Sequence, residues 1–217
     1  MLSVILFHGE FTWAQGGFVG VDVFFVISGF LITGILLREF SNDTFSLKRF
    51  YERRARGILP APLVVLAATL AACAAIMFAA DLRVVARSAV TVIAFAANIM
   101  FWRGIDFGDI TAVNYFGRRI HEQPLVHTWS LGVGEQFYLL YPLALWVVHR
   151  YQRRHFWTAV ALALLASFAL NIIFVARKPE ATFYLLPTRA WELLTGALLP
   201  FVAARWARSP FADELLS

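Results

Sequence analysis

His8 ends a short apolar run, in Leu6-Phe-His-Gly-Glu10. An imidazole titrates near neutral pH, so it can take and return a proton in physiological conditions. A histidine hydrogen-bonded to a carbonyl at a membrane surface is the plainer reading of the same residue. Glu135 and Gln136 interrupt the apolar run from Trp129 to Val148. A carboxylate inside such a run needs a cation, a donor or a proton beside it. Ser130, Gly134 and Tyr138 recur one helical turn apart and share a face, and Glu135 lies beside Leu131 and Leu139. These polar side chains suit either transfer chemistry or hydrogen bonds between helices. Arg189 and Glu192 are spaced to pair on one helix face, as a structural ion pair or as a seat for an anionic substrate. Arg53, Arg54 and Arg56 form a dense basic cluster. It reads as a signal for membrane orientation or as a phosphate-binding patch, because guanidinium makes bidentate bonds to phosphate.

Other chemistries find no support. There is no Walker loop, no Cys/His metal spacing and no dinucleotide-binding glycine motif, so no metal ligands are assigned. Ser28-Gly29 lacks the strand–turn–helix setting of a nucleophile elbow. With Thr33, these small residues fit close helix packing instead. The single cysteine, Cys73, sits in an apolar run and reads as a small hydrophobe.

The elements that position these residues are membrane helices. The chain has 217 residues, 60% hydrophobic and 15% charged. Mean hydropathy is +0.68, whereas soluble domains carry about 25% charged residues. The apolar runs are continuous rather than alternating, which excludes a β-barrel. The fold class is therefore all-α, a polytopic transmembrane bundle. The net charge of +5 fits arginine-rich loops facing the cytoplasm and anionic lipid better than nucleic-acid binding.

A span needs about 17–25 apolar residues. Val21 to Leu37 meets the lower limit, after a Gly-rich loop over Gln15–Gly20. Ser46 is placed to cap a short amphipathic helix carrying the arginine cluster. Further segments run from Ile58 to Ala80 with Pro60 in the first turn, Val84 to Trp102, Trp129 to Val148, Phe156 to Ala176 and Arg189 to Ala204. Met1 to Phe7 lacks the form of a signal peptide and reads as the second half of a helix. Both basic clusters, at Arg53–Arg56 and His149–His155, should face the cytoplasm, yet three crossings between them would place them on opposite sides. Either the polar-dotted segment 84–102 does not cross simply, or the second cluster breaks the rule.

Taken together, LFHGE and GGFVGVDVFFVISGFLIT, FYERRARGILPA, PLVHTWSLGVGEQFYLLYP and FYLLPTRAWELLTGALL resemble acyltransferase family 3, the bacterial membrane O-acetyltransferases. The resemblance is collinear from Met1 to about Ala204. It implies an O-acyltransferase that moves an acetyl group from acetyl-CoA, the donor substrate, to a hydroxyl of a cell-envelope glycan such as O-antigen, peptidoglycan or exopolysaccharide. The implied setting is the bacterial inner membrane, with lipid, glycan and acyl-CoA as partners. No permanently bound cofactor is implied. His8 matches the family histidine expected to act as general base or transient acyl carrier. Arg53, Arg54 and Arg56 match the basic loop that would face the CoA phosphates.

Gly134 stands where the family carries Glu in Glu-x-Gln-Phe-Tyr, and Glu135 lies about 100° away around a helix; Glu135 is nonetheless the catalytic carboxylate the resemblance offers. Ser130, Gln136, Tyr138, Arg189 and Glu192 are the remaining substrate-contacting or structural polar residues. Gly57 replaces a further Arg, and the family's Arg before the histidine would precede Met1. The family fold has about ten membrane helices, against six to seven segments long enough here. The expectation is a partial acyltransferase membrane domain over residues 1–217, cut short at both ends and without an extracytoplasmic SGNH-type domain. An inactive remnant of such an enzyme and a transporter or flippase are the alternatives.

Overall fold

The computed structural model describes residues 2–8, 11–103 and 123–206. Among these the chain is helical, with no strand. The order is α1 (Leu2–His8), α2 (Val19–Ser41), α3 (Leu47–Ile58), α4 (Pro60–Ile76), α5 (Ala79–Ile93), α6 (Ala97–Arg103), α7 (Trp129–Tyr151), α8 (Phe156–Val175), α9 (Pro179–Tyr184) and α10 (Leu186–Trp206). Among the described residues, four stretches are long and apolar enough to cross a bilayer: Gln15–Ser41, Leu47–Ile76, Val126–Tyr151 and Phe156–Val175. Only 11% of the window in Phe156–Val175 is buried, so most of this apolar helix presents its side chains outward, as a lipid-facing helix does. Three expected segments are not among the four. They are the short α1, the interrupted 84–102 region, and α10, whose first turns carry Arg189 and Glu192.

The chain divides into two compact units, and α7, α8 and α10 each contribute to both. The first contains residues 1–45, 140–170 and 189–217. Here α2 and α10 pack backbone to backbone. A Cβ on Gly29 would collide with the Leu193 carbonyl, and one on Gly196 with the Val26 carbonyl. Small residues at both points allow this approach. Phe25, Ile32, Leu36, Leu193 and Ala197 form the apolar filling. Three hydroxyl-bearing residues add polar ties. Thr33 Oγ1 and the Tyr141 hydroxyl share a hydrogen bond of 2.8 Å, and Ser167 Oγ accepts the Trp191 N–H at 2.9 Å.

The second unit contains residues 46–139 and 171–188. Ser46 caps α3 by accepting the Arg49 N–H at 3.4 Å. Phe50 is buried on one face of α3 while Arg53 and Arg56 are exposed. Pro60 opens α4, where its missing N–H is harmless. α4 packs on α5, and α6 on α9. Trp129 lies against Phe183 in a tilted contact, with ring centroids 4.5 Å apart. It meets Tyr184 edge-on at 5.8 Å, closing the aromatic core.

Several boundaries differ from the sequence expectation. The Gly-rich loop is helical, a 3-10 turn over Thr12–Phe18 that runs into α2. α2 continues past Leu37 to Ser41; Arg38 is exposed and Glu39 half-buried, and neither breaks the helix. The 84–102 segment is broken. α5 ends at Ile93, and Phe95 takes a left-handed φ of 52° before α6 starts. The Phe95 N–H bonds the Val92 carbonyl and the Ala96 N–H reaches back to Thr91, a Schellman closure with phenylalanine where glycine is usual. The loop 177–188 holds α9. Most of the polar connection 103–128 lies outside the described residues.

Candidate functional site

A cavity of about 470 Å³ opens in the second unit. Tyr51, Arg54, Ala55 and Ile58 supply one wall. Their spacing of three, four and seven residues is one face of α3. The break between α5 and α6 supplies another through Ala94, Phe95 and Ala96, with Ile99 below it. α7 contributes Glu135, Gln136, Tyr138 and Leu139. The lining is mainly apolar, with a few polar groups converging on it, the usual make-up of a small-molecule site.

Arg54 is the cation of this cavity. Its guanidinium lies 3.9 Å from the centroid of the Tyr138 ring, a cation–π contact that orients the group without neutralising it. Its Nε is buried and has no hydrogen-bond partner among the described residues. Glu135 lines the same space, but no direct ion pair joins it to Arg54. The Tyr51 hydroxyl donates to the Leu139 carbonyl at 2.6 Å. This tie falls in the turn before Pro142, which has no N–H to offer the Tyr138 carbonyl. Gln136 completes the wall through its amide, donating to the Phe95 carbonyl at 2.9 Å.

The other sequence-identified residues sit elsewhere. Arg56 is exposed and pairs with Glu52 at 2.6 Å along α3, and Arg53 is exposed as well. Of the three clustered arginines, Arg54 alone lines the cavity. Ser130 is outside it, with Oγ donating to the His127 carbonyl at 3.3 Å. Gly134 is buried. His8 is the last residue of α1, and its side chain lies outside the described residues.

Arg189 and Glu192 belong to the first unit and pair at 3.1 Å. Arg189 also donates to the Asp22 carboxylate and lies 5.7 Å from the Phe25 ring centroid. Its side chain is 11% exposed and that of Glu192 4%. Two carboxylates around one buried guanidinium leave it little capacity for an anionic ligand. The Asp22 contact was hidden, since nothing local links residues 167 positions apart. Tyr51 was missed although its spacing from Arg54, three residues along a helix, marks a shared face.

Comparison with known proteins identifies the family. Residues 1–210 match the family model described as an acyltransferase domain. The chain belongs to this acyltransferase family. It is 34% identical over 208 residues to the peptidoglycan O-acetyltransferase OatA of Listeria monocytogenes, covering 93% of this chain and 32% of that protein. It is 33% identical over 207 residues to the O-acetyltransferase OatA of Staphylococcus aureus, covering 93% of this chain and 33% of the relative. The chain thus spans about a third of the length of these curated relatives. No solved structure matches. Family membership and the four apolar helices together make it a membrane protein.

Proposed function

We propose that this chain is the membrane unit of an O-acyltransferase that moves an acetyl group from acetyl-CoA to a hydroxyl of a cell-envelope glycan in the bacterial inner membrane. The names of the relatives favour peptidoglycan as acceptor. The observation that carries the reading is the cavity around Arg54, an apolar slot whose cation feels the Glu135 carboxylate on the same wall but forms no direct ion pair with it. An acyl thioester on a long arm ending in phosphates has that chemistry. A sugar would instead call for a lining rich in hydrogen-bonding groups.

In this reading Arg54 binds donor phosphate through charge-assisted hydrogen bonds. Arg53 and Arg56 add attraction at longer range, which salt screens. The glycan hydroxyl attacks the thioester carbonyl. A C–O bond forms, the C–S bond breaks and CoA leaves as the thiol, taking up a proton. His8 accepts the hydroxyl proton as general base, or carries the acyl group in transit. Glu135, on the cavity wall, is the carboxylate available to hold a proton or a polarised hydroxyl. Gln136 and Tyr138 shape the donor slot. Arg189 and Glu192 hold the helices rather than the substrate, and Ser130 ties the entrance of α7.

The test is O-acetyl content of muropeptides, read by mass spectrometry in cells that lack other O-acetylation and express this protein. Acetylation is expected with the native sequence. It is expected to fall more than tenfold with His8→Ala or Arg54→Ala and to persist with Arg56→Ala. Undiminished acetylation with His8→Ala sinks the role of the histidine. No acetylation by the native protein sinks the reaction.

A further inference from the structure

Asn98 lies wholly buried beside the cavity wall. Its Nδ2 donates to Gln136 Oε1 at 3.2 Å and to the Tyr184 carbonyl at 3.1 Å. Its Oδ1 accepts from Gln136 Nε2 at 2.8 Å. The second Nε2 hydrogen goes to the Phe95 carbonyl at 2.9 Å. Every donor hydrogen of the two amides is therefore used, as a buried polar network requires. Gly132 makes room for it, since a Cβ there would come within 2.7 Å of Asn98 Oδ1.

What this network holds is strained. Phe95 carries a φ of 52°, a region that disfavours residues with a Cβ and bulky ones most of all. Strain of this kind persists where the surroundings over-determine the backbone, and it gathers at functional sites. The caught carbonyl belongs to the strained residue itself, and Phe95 and Gln136 both line the cavity.

We infer that Asn98 is a positioning residue: through Gln136 it clamps the broken α5–α6 backbone at Phe95 and so fixes the wall against which the donor's apolar arm lies. This rests on the assignment of the cavity to the donor. Asn98 touches neither donor nor acceptor, and its effect falls on the donor's binding rather than on the reacting groups. The clamp is specific to the amide pair, because a side chain without both donors loses the bond to the Phe95 carbonyl or the bond to the Tyr184 carbonyl.

The experiment uses the full chain, purified in lipid nanodiscs, with two readouts: equilibrium binding of acetyl-CoA and hydrogen exchange at the Phe95 and Ala96 amides. Asn98→Ala and Gln136→Met are each expected to weaken binding about tenfold and to speed exchange at least tenfold. The double variant should lose little more than either single one, since the two amides act as a unit. Adding Phe95→Gly to Asn98→Ala should bring exchange at the Ala96 amide back to within threefold of native, because glycine adopts the left-handed conformation unaided; exchange is the readout for this variant because the Phe95 side chain itself lines the cavity. A merely structural amide pair predicts no such rescue. Should Asn98→Ala not yield folded protein, Gln136→Met, which keeps the volume, carries the same test. Unchanged exchange in the variants, or no rescue by glycine, overturns the clamp. Faster exchange with no acetyl-CoA binding by the native protein instead removes the donor from the cavity and leaves the clamp standing.

Discussion

Arg189 and Arg54 are both half-enclosed guanidinium groups on helices, and their surroundings differ in kind. Arg189 sits between Asp22 and Glu192, on the seam where Gly29 and Gly196 let α2 and α10 touch. Its charge is spent within the protein. Arg54 lies against the Tyr138 ring and has no carboxylate bonded to it among the described residues. Glu135 on the same wall acts on it without a direct bond, so its hydrogen-bonding edge remains for something that arrives. Burial of a cation is therefore a poor guide to function by itself; the identity of the partner separates a helix lock from a ligand site.

The contrast breaks most readily at Arg189. Replacing it with Leu strands the buried Glu192 carboxylate, and removing one partner of a buried pair costs about 3–5 kcal/mol. Thermal unfolding in detergent should show a large loss, and an unchanged midpoint would contradict the lock. Gly29→Ala comes next, at roughly 1–3 kcal/mol for overpacking. Gly34→Ala in the same helix is its comparator. A Cβ at Gly34 meets nothing within 4 Å, so the gain in helix propensity should leave stability equal or higher. Equal behaviour of the two variants would refute the close α2–α10 seam. Thr33→Val removes the bond to Tyr141 and should cost about 1 kcal/mol in the same unfolding assay. Arg54→Leu should shift the midpoint no more than this, since a partly exposed cation–π contact contributes about 0.5–1 kcal/mol and no direct ion pair is broken.

Much of the first region was legible in the sequence. Arg189 and Glu192 announce their pairing through spacing, and Ser28-Gly29 announces close packing. Asp22 did not, because its partner is remote in the chain and any lone carboxylate would have served. The cavity was legible only in pieces. Glu135, Gln136 and Tyr138 stand out as polar residues in an apolar run. Choosing Arg54 from its cluster requires the α3 face that Tyr51 shares. The polar residues of 84–102 and the conflict between the two basic clusters pointed to an irregular segment, but not to Phe95 as its breaking point, for the usual marker is glycine and none is present. The helices themselves were read well at α7 and α8, where long apolar runs dominate. They were read less well at Gln15–Gly20, where glycines suggested a loop and packing of Gly17 against Ser3 supports a 3-10 turn.

The central claim is that Arg54 is the cavity's recognition cation for an anionic acyl donor. The direct measurement is acetyl-CoA affinity of the purified chain in nanodiscs, compared among the native protein, Arg54→Ala and Arg56→Ala at fixed ionic strength. The account predicts at least a tenfold loss for Arg54→Ala, from charge-assisted bonds of about 1.5–3 kcal/mol. For the exposed Arg56, screened and already paired with Glu52, it predicts less than a threefold change. Equal losses at both positions, or undiminished binding by Arg54→Ala, would contradict it.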